Sequence, residues 1–138
     1  MALAWQGSIF GGEPEPDASF AQLERSELAG GAWVDHAPGW LAGSDDLFAE
    51  LLETAPWQQR QRVMWEQLVD EPRLTAWWRD DDDGLPTVVP AMRTLLSARY
   101  GVTFDSVGCN LYRDGHDSVA WHGDTVRKKL ATLSCPSR

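Results

Sequence analysis

His122 and Asp124 are separated by one glycine, which sets an imidazole and a carboxylate at positions i and i+2. In extended chain such positions point to the same side, so both side chains can meet one divalent metal ion. A neutral imidazole with a carboxylate suits Fe(II), and the pair makes up two members of a 2-His-1-carboxylate facial triad. Alone, an H-x-D pair is common, and its bland explanation is an exposed histidine beside a solvated aspartate. Its weight depends on the elements that carry it.

Val107, Cys109 and Leu111 alternate with Gly108, Asn110 and Tyr112, the period of a half-buried strand. Asp114-Gly115 supplies a tight turn, and Val119, Trp121 and His122 continue in a second extended run. The pattern predicts a hairpin over 106–124 with His122 and Asp124 at its far end, and Asn110 and Tyr112 facing the same cavity. Ser44 before Asp45 and Asp46 reads as an N-cap with first-turn acids, and Leu47, Phe48, Leu51 and Leu52 share one face. This predicts a helix over 45–54, stopped before Pro56. Pro90, the Leu95-Leu96-Tyr100 face and Gly101 define a second helix. A short strand is expected around Ala32-Trp33-Val34, followed by a loop containing His36. Residues 57–70 fit helix by propensity and a strand pair by their large alternating side chains. The run from Asp80 to Gly84 reads as a solvated turn, since it lacks the spaced ligands of a calcium loop.

The segment from Asn110 to Asp124 closely resembles the signature of AlkB-type Fe(II)/2-oxoglutarate-dependent dioxygenases, N-x-Y-R-D-G-x-D-S-x-x-W-H-x-D. Upstream, Glu71-Pro72-Arg73-Leu74-Thr75-Ala76-Trp77-Trp78 resembles the family's P-R-L-T-A-W-Y segment, and Phe104-Asp105-Ser106-Val107 resembles its F-N-S-V run. The resemblance spans about residues 32–128. It implies an α+β fold: a partial double-stranded β-helix, or jelly roll, with N-terminal helices and a nucleotide-recognition lid. On that basis residues 57–70 are expected as strands. The resemblance also implies that His122 and Asp124 hold Fe(II) and that Asn110 and Tyr112 bind 2-oxoglutarate. An amide and a phenol donate hydrogen bonds to a carboxylate without competing for the metal. Arg73, Trp77 and Trp78 would recognise the nucleic acid, the two indoles stacking on a flipped base. Trp78 stands where the family has tyrosine, which keeps a flat ring and loses a hydroxyl. The structural alternative for Arg73 is an ion pair with Glu71 or Asp70, and for Tyr112 a buried place on the hairpin.

The family places a second histidine and a cosubstrate-anchoring arginine well after H-x-D. No histidine follows His122, and Arg138 is the last residue. A catalytic domain incomplete at its C-terminus is therefore expected. His116, six residues before His122, is a weak substitute because hairpin geometry puts it at the opposite end, and His36 is weaker still.

Two function classes compete. One is an enzyme for oxidative demethylation of N-alkylated DNA or RNA bases, a DNA-repair activity, monomeric if complete. The other is a non-catalytic truncated remnant with weak metal or nucleic-acid binding. An unrelated cupin-like metal protein is disfavoured, because the lid segment matches as well as the hairpin.

The chain has 138 residues, enough for one domain with a core. Residues 1–20, rich in Gly, Pro and acids, are expected as a flexible arm, with the dioxygenase domain over 21–138. No apolar run reaches the roughly 18 residues of a membrane helix, and no secretory leader is visible, so a cytoplasmic location is the expectation. The net charge of −9 opposes nucleic-acid binding by bulk electrostatics, yet the balance is −10 over residues 1–104 and +1 over 105–138. Cys109 and Cys135 have no C-x-x-C partner and are expected as free thiols.

Overall fold

Two strands of large alternating residues and one of small ones, with a two-residue edge strand, build the main sheet. The computed structural model describes residues 11–79, 83–121 and 133–134. Its sheet has the order β5 (Gln58–Met64), β6 (Gln67–Arg79), β7 (Ser106–Leu111) and β8 (Leu133–Ser134). The pairs β5/β6 and β6/β7 are antiparallel, and β7/β8 is parallel. Helices α1 (Ser44–Thr54) and α2 (Val88–Tyr100) and two small antiparallel sheets complete an α+β fold. Residues 57–70 are thus extended, as the resemblance implies.

β5 and β6 are joined by Trp65 and Glu66, with Met64 paired to Gln67. Both loop residues have positive φ, 52° and 61°, as a two-residue type I′ turn requires. Asn-Gly would satisfy that geometry without strain, so the pairing of thirteen-residue β6 must hold a Trp-Glu turn in place.

The core lies on one face of the sheet. Ala76 and Trp78 of β6 and Val107 of β7 pack with Leu47 of α1 and Val88 and Val89 of α2. Cys109 lies against the same cluster, and Leu111 is buried. The alternation of β7 is therefore realised as read, with 107, 109 and 111 inward.

The helices correct two details of capping. The α1 N-cap is Gly43, and Ser44 is the first helical residue with no capping side chain before it. Gly43 has φ 63°, and a β-carbon there would collide with the backbone of Gly12 and Glu13, so no serine could take the position. Asp45 and Asp46 keep their place beside the positive helix terminus. The second helix begins at Val88, two residues before Pro90, which sits within the first turn where an amide donor is not needed. It ends at Gly101.

Residues 11–20 are more ordered than their composition predicts. β1 (Glu15–Pro16) pairs with β4 (Leu41–Ala42), and the Asp17 carboxylate accepts from the Ser19 and Ala21 amides. The Trp40 indole N–H donates to the Asp17 carbonyl, and its ring stacks on Phe20 at 5.5 Å. Ring contact and side-chain capping replace the apolar burial that this segment lacks.

β2 (Glu24–Glu27) and β3 (Trp33–His36) form a second ribbon, so His36 lies in a strand. Arg25 pairs with Asp35 through two bonds of 2.6 and 2.8 Å and covers the Trp33 ring at 3.8 Å. Trp33 stacks on Tyr100 of α2, whose hydroxyl donates to Asp35 at 2.8 Å. The Arg25 hydrogen bonds hold the Asp35 carboxyl at about 2. Among the described residues no helix is long and apolar enough to cross a membrane.

Candidate functional site

The face of β6 and β7 opposite the core carries Arg73, Thr75, Trp77, Gly108 and Asn110. Register makes Thr75 face Asn110 and Trp77 face Gly108. The Trp77 ring lies directly over Gly108, where a β-carbon would come within 2.5 Å of it. Gly108 thereby leaves the space that the indole fills. Trp77 remains 42% exposed, whereas Trp78, one residue on, is 2% exposed in the core. The sequence reading paired the two indoles as base-stacking groups. Strand alternation separates them, and Trp77 alone presents a ring to this face.

Arg73 stands at an irregularity in β6. Gln59 pairs with Leu74 and Gln61 with Asp70, so Arg60 alone spans Glu71, Pro72 and Arg73. Pro72, which cannot donate to a ladder, is accommodated in this bulge. The Gln59 side-chain amide donates to the Glu71 carbonyl at 2.5 Å and to the Arg73 carbonyl at 3.4 Å. Its oxygen accepts from Arg113 Nη1 at 3.3 Å. Arg113 in turn binds Asp117 through Nε at 2.7 Å and Nη2 at 2.8 Å, and its backbone amide donates to the same carboxylate. These hydrogen bonds hold the Asp117 carboxyl at about 2. The Ser118 amide then donates to the Pro72 carbonyl at 2.8 Å. A polar chain therefore links the 113–117 turn to the bulge from both sides.

Two adjoining clefts meet at Arg73. One, of about 230 Å³, is lined by Arg60, Glu71, Arg73, Thr75, Trp77 and Asn110 among others. The other, of about 370 Å³, is lined by Arg62, Pro72, Arg73 and residues 118–120. Arg73 Nη2 lies 3.1 Å from Glu71 Oε2, so the structural alternative raised for Arg73 is realised. Yet Arg73 Nε and Thr75 Oγ1 are buried without a hydrogen-bond partner. Each such group costs roughly 1–3 kcal/mol when left unpaired, a deficit that an incoming anion or acceptor would relieve. The chemistry of this donor set, with the Asn110 amide, fits a carboxylate or phosphate ligand.

Arg60, Arg62 and Thr75 were not singled out by sequence. Thr75 lay within the recognised segment, and its register opposite Asn110 was the signal. Tyr112 is half-buried just past the end of β7. The return strand expected after the Asp114-Gly115 turn is not formed in residues 116–121, which leave the turn as irregular chain fixed by the Ser118 bond to Pro72. His116 is exposed, its amide donating to Asp114 Oδ1, which caps the turn, and its Nδ1 3.3 Å from the same oxygen; it lines neither cleft. His122 and Asp124 lie outside the described residues, as do residues 80–82 of the aspartate run. Among the described residues no cluster of three or more His, Cys, Asp and Glu could hold a metal ion.

No protein-family model matches the chain. Curated relatives do. Over 112 residues the chain is 36% identical to alpha-ketoglutarate-dependent dioxygenase alkB homolog 3 of Rattus norvegicus, covering 72% of this chain and 37% of that protein. The Mus musculus protein of the same name is 35% identical over 72% of this chain and 38% of its own length. The Homo sapiens protein is 36% identical over 59% of this chain and 32% of its own. These similarities support an AlkB-like dioxygenase family for the chain. It spans about a third of the length of the relatives it matches. Of the two stretches that carry the resemblance, 71–78 and the described residues 110–121 are brought together by the Thr75 and Asn110 register and by the Ser118 bond to Pro72.

Proposed function

We propose that the protein is an Fe(II)/2-oxoglutarate-dependent dioxygenase that oxidatively demethylates N-alkylated bases of nucleic acid. One observation carries the reading. Asn110, the motif residue assigned to the cosubstrate, lines the same cleft as Arg73 and Trp77, the residues assigned to nucleic acid. A cosubstrate and a substrate base must meet at one place for an alkyl carbon to be oxidised, and this cleft offers both kinds of group.

In this reading the β5–β8 sheet is part of a jelly roll, and the β5/β6 hairpin with its exposed Trp65 is the lid. His122 and Asp124 would hold the iron, and Asn110 and Tyr112 the 2-oxoglutarate. When bound, iron and cosubstrate supply the oxidation that turns an N-alkyl carbon into a hemiaminal, which collapses to an aldehyde and the unmodified base. This chain's own residues orient the reactants. Trp77 offers an aromatic face for a base removed from its stack. Thr75 and Asn110 present polar groups beside it. The Arg113–Asp117 pair and the Gln59 amide hold the bulge and the segment leading toward His122.

The test is release of formaldehyde from an N-methylated single-stranded oligonucleotide with Fe(II) and 2-oxoglutarate. It is run on this chain and on a chimera carrying the following segment of a complete relative. Turnover is expected in the chimera and is abolished there by His122→Ala. Turnover that survives His122→Ala, or a well-folded chimera without turnover, would overturn the reading.

A further inference from the structure

Among the described residues that line the two clefts there is one acid, Glu71, which shares the smaller cleft with Arg60 and Arg73, while Arg62 and Arg73 line the other. The Glu71 carboxylate occupies one nitrogen of the Arg73 fork at 3.1 Å, while Arg73 Nε stays buried and unpartnered. The side chains are 21% and 16% exposed, so the pair sits at the mouth of the clefts and opens without unfolding the sheet. A guanidinium prefers an anion that engages two nitrogens at once, as phosphate does. Glu71 leaves that preference half met.

We propose that Glu71 is a built-in stand-in for a phosphodiester: Arg73 exchanges its carboxylate for a backbone phosphate of a single-stranded nucleic acid, and Glu71 thereby sets how tightly the strand is held. The shape of the site favours a strand over a small dicarboxylate. The arginines are spread over two clefts that join at Arg73, which makes a track rather than one closed pocket. The exposed Trp77 ring lies beside it. A basic groove with a stacking ring is the arrangement that binds single strands. The exchange also fits the net charge, because an acid that must be displaced restrains non-specific binding. This inference rests on the nucleic-acid reading above.

Binding of a fluorescent oligothymidylate to the full chain, followed by anisotropy across salt without iron or 2-oxoglutarate, tests it. Glu71→Gln is expected to tighten binding by up to about fivefold at low salt, the release of a partly exposed ion pair. Arg73→Gln is expected to weaken binding and to flatten the log K against log salt slope by about 0.7, one single-strand phosphate contact. In the Arg73→Gln background Glu71→Gln should change nothing, because the competitor acts only through Arg73. Glu71→Asp, which keeps the charge with a shorter reach, should fall between wild type and Glu71→Gln. Equal tightening in both backgrounds would reduce Glu71 to a long-range charge and overturn the proposal. So would unchanged binding, or tightening of 2-oxoglutarate in place of the oligonucleotide. The assay needs no turnover, so demethylation and exchange can fail independently.

Discussion

The two faces of the β6/β7 ladder use the same strands and adjacent residues to opposite ends. On the inner face Ala76, Trp78 and Val107 are buried against both helices. On the outer face Thr75, Trp77 and Asn110 stand over a cleft, with polar atoms left unpaired. Trp77 and Trp78 are chemically identical, and one peptide bond decides that the first is a surface ring and the second a core residue. Residue type gave no means of telling them apart. Register did, because Trp77 falls opposite a glycine and Trp78 opposite a valine. The core lies against one face and the cleft opens on the other.

The largest expected effect breaks that division from inside. Trp78→Ala empties the most buried indole site among the described residues and should lose about 3–5 kcal/mol in urea unfolding. The same change at Trp77 should lose far less stability and instead weaken binding of a single-stranded oligonucleotide, by about 1–3 kcal/mol if one base stacks on it. Comparable losses of stability in both variants would erase the distinction between the faces.

Gly108→Ala sharpens the comparison from the outer side. The new methyl group must push the Trp77 ring away, for a penalty of about 1–3 kcal/mol, at the lower end if the ring swings outward. Trp77→Ala introduced with it should restore stability, and failure of that rescue would mean that Gly108 is needed for its backbone alone.

The smallest effect concerns the turn that braces the bulge. The carboxyl of Asp117 falls from its ordinary 3.8 to about 2 because Arg113 hydrogen-bonds its charged form. A depressed folded-state value contributes stability that is fully present above about pH 4 and lost as pH falls through about 2. Asp117→Asn should therefore lower the urea midpoint at pH 7 and match wild type near pH 2. A constant difference across that window would assign the loss to packing.

Local rules made much of the scaffold legible. Asp45 and Asp46 before an apolar face, and Gly101 after one, located both helices. The 107-109-111 alternation gave the inner face of β7. The bulge at Glu71–Arg73 was hidden because a proline inside a strand reads equally as a strand end. The order in residues 11–20 was hidden because it comes from Asp17, Phe20 and Trp40 acting across sequence. At the site, the recognised segments supplied Arg73, Trp77 and Asn110. Arg60 and Arg62 acquire meaning only from the irregular register that brings them near Glu71 and Arg73, and alternation turns Trp78 to the core.

The hydroxyl of Tyr100 meets Asp35 across 65 residues of chain. The β5/β6 hairpin, by contrast, closes over two residues. Closing the longer loop carries the larger entropic penalty and must await the contacts that reward it. The hairpin therefore has the means to form early and locally, while the Arg25-Trp33-Tyr100 stack is expected to form later. A contact made that late acts on how slowly the molecule opens rather than on how quickly it assembles, so the β2/β3 ribbon is expected to serve as a kinetic clasp on α2.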